Sequence, residues 1–133
     1  DLLIQKEEKR RLYQIIDEEG EEGFKAIENR VNASIDTENT VIATGGSVVY
    51  CSEAMEHLKS IGKVVYLSLS LESLENLKKR GVLLKEGQTL KSLYEERVPL
   101  YEKYADIVVD EEGKDLEASL QALLETLQTG VIK

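Results

Sequence analysis

Phe24, Ile27 and Val31 stand three and four residues apart in a segment otherwise crowded with charge, which places them on one face of a helix. The surrounding stretch, 1–35, is helix-forming throughout and is broken at Gly20 and Gly23. It predicts two helices, the second starting near Glu21, with Lys25 and Glu28 on an adjoining face. After the turn-like 36–40, the apolar residues 41–43 predict a short strand that opens into Gly45-Gly46. Ser52 is the expected N-cap of a helix over 53–61, and Gly62 closes it. The run 63–70 is mostly apolar and rich in β-branched residues, the pattern of a strand covered on both faces. Leu71, Leu74 and Leu77 follow at helical spacing. Residues 80–88 predict a loop, and Thr89 caps a helix that Pro99 should end or kink, because proline lacks an N–H. A third strand at 105–110 leads into a final helix with Leu116, Leu120, Leu123, Leu124 and Leu127 on its inner side.

Strands separated by helical segments predict βαβ units: an α/β fold with a parallel sheet flanked by helices. In such sheets ligands bind beyond the carboxyl ends of the strands. Two adjacent glycines at the end of a strand mark either a turn or a close approach by backbone or ligand. The strand-end position of Gly45 and Gly46 favours the ligand.

The length of 133 residues fits one domain able to bury a core without staples. One cysteine, Cys51, and one histidine, His57, offer no disulfide and no soft-ligand metal spacing. Cys51 reads as a small packed residue and His57 as a residue of an exposed helix face. A net charge of -9 disfavours nonspecific binding to nucleic acid or anionic membranes. No apolar run approaches the roughly 20 residues of a membrane span, and the start does not read as a signal peptide. A soluble, reducing, cytoplasmic setting is expected.

Five segments together resemble the shikimate kinase family: D-L-L-I at 1–4, E-E-G-F-K-A-I-E at 21–28, I-A-T-G-G-S at 42–47, V-V-Y-L at 64–67 and E-E-R-V-P-L-Y-E-K-Y-A-D-I-V-V-D at 95–110. The last is the most specific, an arginine followed two residues later by Pro-Leu-Tyr and then a strand ending in aspartate. The resemblance implies a three-layer α/β/α fold of the nucleoside-monophosphate-kinase type. It also implies transfer of the γ-phosphoryl group of ATP, with Mg2+, to the 3-hydroxyl of shikimate on the path to chorismate. A monomer is expected.

Carried over residue by residue, Arg97 matches an arginine that contacts the substrate carboxylate; the alternative is an exposed arginine paired with Glu95 or Glu96. Lys25 stands where the family has a second carboxylate-binding arginine, and lysine supplies charge without a bidentate fork. Glu28 matches an acid that orients this cation, or else forms an ordinary surface pair. Asp1 matches an aspartate that binds substrate hydroxyls and accepts the proton of the attacking oxygen. Gly45 and Gly46 match a triple-glycine segment facing substrate and γ-phosphate, with Ser47 in place of the third glycine. Arg80 matches a lid arginine closing over the ATP phosphates, or is a solvent-exposed loop residue; the lid would be 80–88.

The phosphate loop Gly-x-x-x-x-Gly-Lys-Ser/Thr is not found in the 133 residues. In the family it precedes the segment matching Asp1, so the chain alone is expected to be inactive and an N-terminally longer protein to be the kinase. Two other readings stay open: a non-catalytic binding or regulatory domain, and a related small-molecule kinase with a different acceptor.

Overall fold

A computed structural model describes residues 1–77 and 89–128. Its contacts divide the chain into two compact units, 1–62 and 63–133.

The first unit is helical. Helix α1 (Leu2–Glu8) and helix α2 (Leu12–Ala33) pack Ile4, Ile15 and Val31 together, with Leu12, Phe24 and Ile27 against them. Gly20 interrupts α2 at φ 73 and ψ 180, a backbone conformation that side-chain-bearing residues rarely adopt, and the helix resumes at Glu21 as the sequence predicts. A second break, between α1 and α2, falls where no glycine or proline announces it. Lys9 adopts the left-handed conformation (φ 56, ψ 33) and closes α1 through its N–H to the Gln5 carbonyl. The Gln5 and Gln14 side chains then accept the N–H groups of Leu12 and Arg11 at 2.8 and 2.9 Å, satisfying donors at the start of α2. Arg10 pairs with Glu8 at 2.7 Å and Glu18 at 2.8 Å, and Arg30 reaches Glu8 at 2.6 Å.

Residues 41–43 form no strand. A strand needs a ladder partner, and among the described residues only β1 and β2, introduced below, pair. Val41 is 95% exposed. The chain instead enters a 3-10 turn (Gly46–Tyr50) and helix α3 (Ser52–Ile61), burying Val48, Val49, Cys51, Ala54, Met55 and Leu58. Ser52 is the first residue of α3 and not its cap. Asn29 of α2 takes that role, its Oδ1 accepting the Ala54 N–H at 3.0 Å. Gly62 closes α3, donating its N–H to the Leu58 carbonyl.

In the second unit, strand β1 (Val65–Ser68) runs parallel to strand β2 (Ile107–Asp110), in register from Val65 beside Ile107 to Ser68 beside Asp110. Between them lie helix α4 (Leu71–Leu77) and helix α5 (Leu90–Tyr104). This is the expected βαβ order. The strands are not covered on both faces: Ile107 and Val109 are buried while Leu67 and Val108 are about half exposed. Thr89 caps α5 as predicted, its side chain accepting the Ser92 N–H while Ser92 Oγ accepts the Thr89 N–H.

Pro99 does not end α5, one of the two outcomes expected of it, and Ala105 N–H still reaches the Tyr101 carbonyl at 3.0 Å. Glu95, whose carbonyl loses its partner to the proline, is exposed, so water can satisfy it. Helix α6 (Leu116–Gln128) has no buried residue; Leu116 is 88% exposed and Leu120 53%. The helix lies against β2, and a two-stranded sheet is too narrow to cover a leucine stripe of four turns. Among the described residues no helix is long and apolar enough to cross a membrane.

Candidate functional site

The first unit brings three of the expected site residues to one notch. Asp1 is the N-cap residue of α1, and Glu28 projects from the second half of α2. Gly45 precedes the 3-10 turn. A Cβ placed on Gly45 would lie 3.5 Å from Asp1 Oδ1 and 3.5 Å from Glu28 Oε2, so two carboxylates face the space its missing side chain leaves. Gly45 has φ -71 and ψ 158, ordinary extended backbone. Conformation therefore does not require the glycine, and a Cβ there would make ordinary contacts with both carboxylates.

Glu28 is 1% exposed, which rules out the solvent-facing pair considered for it. A buried carboxylate is costly unless hydrogen-bonded. Ser47, on the 3-10 turn, donates its hydroxyl to Glu28, with Oγ 2.8 Å from Oε1 and 3.0 Å from Oε2. The Cys51 thiol lies 4.0 Å from Oε1 and 3.6 Å from the Lys25 carbonyl. Burial, reinforced by the nearby Glu28 charge, pushes the Cys51 thiol up to about 11, so it stays protonated at neutral pH. That matches a packed residue and not a nucleophile.

Lys25 lies one turn before Glu28. Its ammonium pairs with Glu21 at 3.5 Å and Glu22 at 3.8 Å and sits 4.6 Å from the centroid of the Tyr50 ring. Its ion pairs are thus made along its own helix, while Glu28 is held by Ser47. Gly46 opens the 3-10 turn whose N-terminal bond runs from Val48 N–H to the Gly45 carbonyl.

Arg97 belongs to the second unit. It is half-buried on α5, three and four residues from Tyr94 and Leu93, the latter buried. Arg80 and the expected lid at 80–88 lie outside the described residues. His57 is half-buried, and its Nε2 lies 2.5 Å from the Ile35 carbonyl, a tie to the loop after α2 and not the exposed position expected.

Sequence reasoning missed three contributors: Ser47 as the partner of Glu28, Tyr50 under Lys25 and Asn29 as the cap of α3. Each bridges residues 19 to 25 apart in sequence, beyond the reach of helical or strand periodicity. The polar signal at Ser47 was visible, but its partner was not.

The donor set of the notch, two carboxylates and a hydroxyl, suits a ligand rich in hydroxyl groups and repels a polyphosphate. Among the described residues no group of three or more His, Cys, Asp or Glu side chains is set to hold a metal ion.

A family model described as shikimate kinase matches residues 1–128. The shikimate kinase of Dictyoglomus turgidum is 34% identical over 137 residues, covering 96% of this chain and 80% of the relative. That of Persephonella marina is 35% identical over 119 residues, covering 86% of this chain and 72% of the relative. That of Francisella tularensis subsp. novicida is 36% identical over 107 residues, or 74% of this chain, and the match spans 61% of that relative's length. A crystal structure of a shikimate kinase from Bacteroides thetaiotaomicron shares the fold at a TM-score of 0.73 and 22% identity, over 97% of this chain and 80% of that one. The α/β fold with its parallel sheet is that of these kinases, and the chain belongs to the shikimate kinase family.

Proposed function

We propose that the protein acts as a shikimate kinase, transferring the γ-phosphoryl group of ATP to the 3-hydroxyl of shikimate. The observation that carries the proposal is the notch at Gly45, where Asp1 and Glu28 face one space free of side chain. A polyhydroxylated acceptor placed there can donate a hydroxyl to Asp1, beside the buried Glu28 carboxylate. In this reading Asp1 takes the proton of the attacking hydroxyl as its oxygen bonds to phosphorus and the β–γ bridge breaks. Asp1 adds to a rate that comes mainly from positioning and charge stabilisation.

In this reading Lys25 and Arg97 bind the acceptor carboxylate and Gly45 and Gly46 form the backbone floor, while the family resemblance assigns Arg80, outside the described residues, to the ATP phosphates. ATP and Mg2+ are implied by the family alone. The same reading takes the chain as part of one cytoplasmic, monomeric catalytic domain with no nucleic-acid or membrane partner.

The test, on the intact protein that carries this chain and not on residues 1–133 alone, is ADP release measured with shikimate, with gluconate and with no acceptor. Shikimate-dependent ADP is expected. Equal rates with gluconate would point to another acceptor, and acceptor-independent or absent turnover would overturn the kinase reading.

A further inference from the structure

Helices α1 and α2 meet around an open cavity of about 400 Å³, lined by Gln5, Lys6, Lys9, Arg10, Arg11 and Gln14. Four cations share this lining with no carboxylate among them, in a chain whose net charge is -9. Arg10 is tied down by Glu8 and Glu18. Lys6, Lys9 and Arg11 are exposed and make no ion pair among the described residues. The two glutamines add donors, because their amide oxygens accept the Leu12 and Arg11 N–H groups and their NH2 groups remain to donate. Lys9 also holds a left-handed backbone (φ 56, ψ 33) at the end of α1, a position that glycine fills without strain. A lysine there keeps an ammonium at the cavity despite that strain, and local backbone strain of this kind gathers at binding sites.

We infer that this cavity binds a small multivalent oxyanion of the oligophosphate class, held by Lys6, Lys9 and Arg11. The lining offers donors only: the Arg11 guanidinium presents a fork to two oxygens of one phosphate, and the two ammonium groups supply point charges for a second. The volume is that of a small-molecule site. Charge decides against a polymer. Screening confines the pull of three cations to about 10 Å at 0.1 M salt, and a polyanion extending past the cavity meets a chain of net charge -9. None of the six lining residues belongs to the Gly45 notch, so the inference stands whether or not the acceptor is shikimate.

The test follows the backbone amide resonances of the intact protein as inorganic pyrophosphate is added at low ionic strength. Shifts at the amides of residues 5–14 are expected, with a Kd that weakens as salt is added. Lys6→Gln and Arg11→Gln together should weaken that Kd about tenfold or more. Lys9→Gly should weaken it as well and leave the melting temperature close to or above wild type, since glycine relieves the left-handed residue. Lys114→Gln, which removes a cation from the second unit, should leave the Kd unchanged. An equal loss in Lys114→Gln would reduce the effect to net charge and overturn the inference. So would an absence of shifts at 5–14, shifts confined to a nucleotide site elsewhere, or a Kd that the variants at 6, 9 and 11 do not weaken. Heparin binding more tightly than pyrophosphate at the same amides would also overturn it, in favour of an extended polymer.

Discussion

Helices α2 and α6 invert what their compositions suggest. α6 carries five leucines in 13 residues and buries none of them, whereas α2, dense in glutamate, buries Ile15 and Val31 and also the carboxylate of Glu28. The difference lies in neighbours. α2 is contacted by α1, the 3-10 turn and α3, while α6 lies against β2. Burial is decided by how many elements surround a helix, and a polar side chain enters the interior when one of those elements brings it a partner, as the turn brings Ser47 to Glu28.

The contrast can be broken most severely at the notch. Asp1→Asn should lower kcat on the order of 10²-fold through loss of the proton acceptor, while the melting temperature stays close to wild type. A loss of both together would mean that Asp1 is a structural cap.

Stability should separate the two helices next. Ile15→Ala, at a position that is 0% exposed, should cost about 2–5 kcal/mol in urea unfolding. Leu120→Ala, at a position 53% exposed, should stay within about 0.5 kcal/mol. Comparable losses would show that the α6 stripe is covered in solution.

Arg97→Ala should raise the KM for shikimate about tenfold or more and leave that for ATP nearly unchanged, as expected for a lost charged hydrogen bond. Equal weakening of both would move Arg97 out of the acceptor subsite.

The smallest effect concerns the ion pairs that tie α1 to α2. Hydrogen bonds from Arg10, then Arg30, hold the Glu8 carboxyl below its ordinary value of 4.5. A carboxyl depressed in the folded state adds stability that is present above its unfolded pKa and fades as the pH drops through the folded value. The melting-temperature gap between wild type and Glu8→Gln should therefore be present at pH 6 and vanish toward pH 3. A gap that persists at pH 3 would mean that packing, not charge, is the tie.

Local chemistry made much of this structure legible in the sequence. The break at Gly20, the cap at Thr89 and the helix stop at Gly62 each follow from a few neighbouring residues, and the alternation of strands with helices predicts the parallel sheet. The family segments likewise pointed to Asp1, Gly45 and Glu28, which the fold gathers. What escaped was decided at a distance. The left-handed Lys9 has no sequence marker, residues 41–43 have strand composition without a ladder partner among the described residues, and Pro99 sits inside α5 where Glu95, four residues before it, is exposed. The leucine periodicity of α6 predicts a buried inner side that the described residues do not form. It said nothing of whether a second surface would meet it.

Gly45 gives a means of separating folding from chemistry. Because its backbone angles suit any residue and an added methyl meets its neighbours at ordinary contact distance, alanine there should leave the melting curve nearly unchanged. Under the proposed reading that methyl would nonetheless stand where the acceptor's hydroxyl goes. Gly45→Ala is in effect a built-in plug. It should yield a folded protein blind to its acceptor, the control against which every loss of activity from a destabilising variant can be judged.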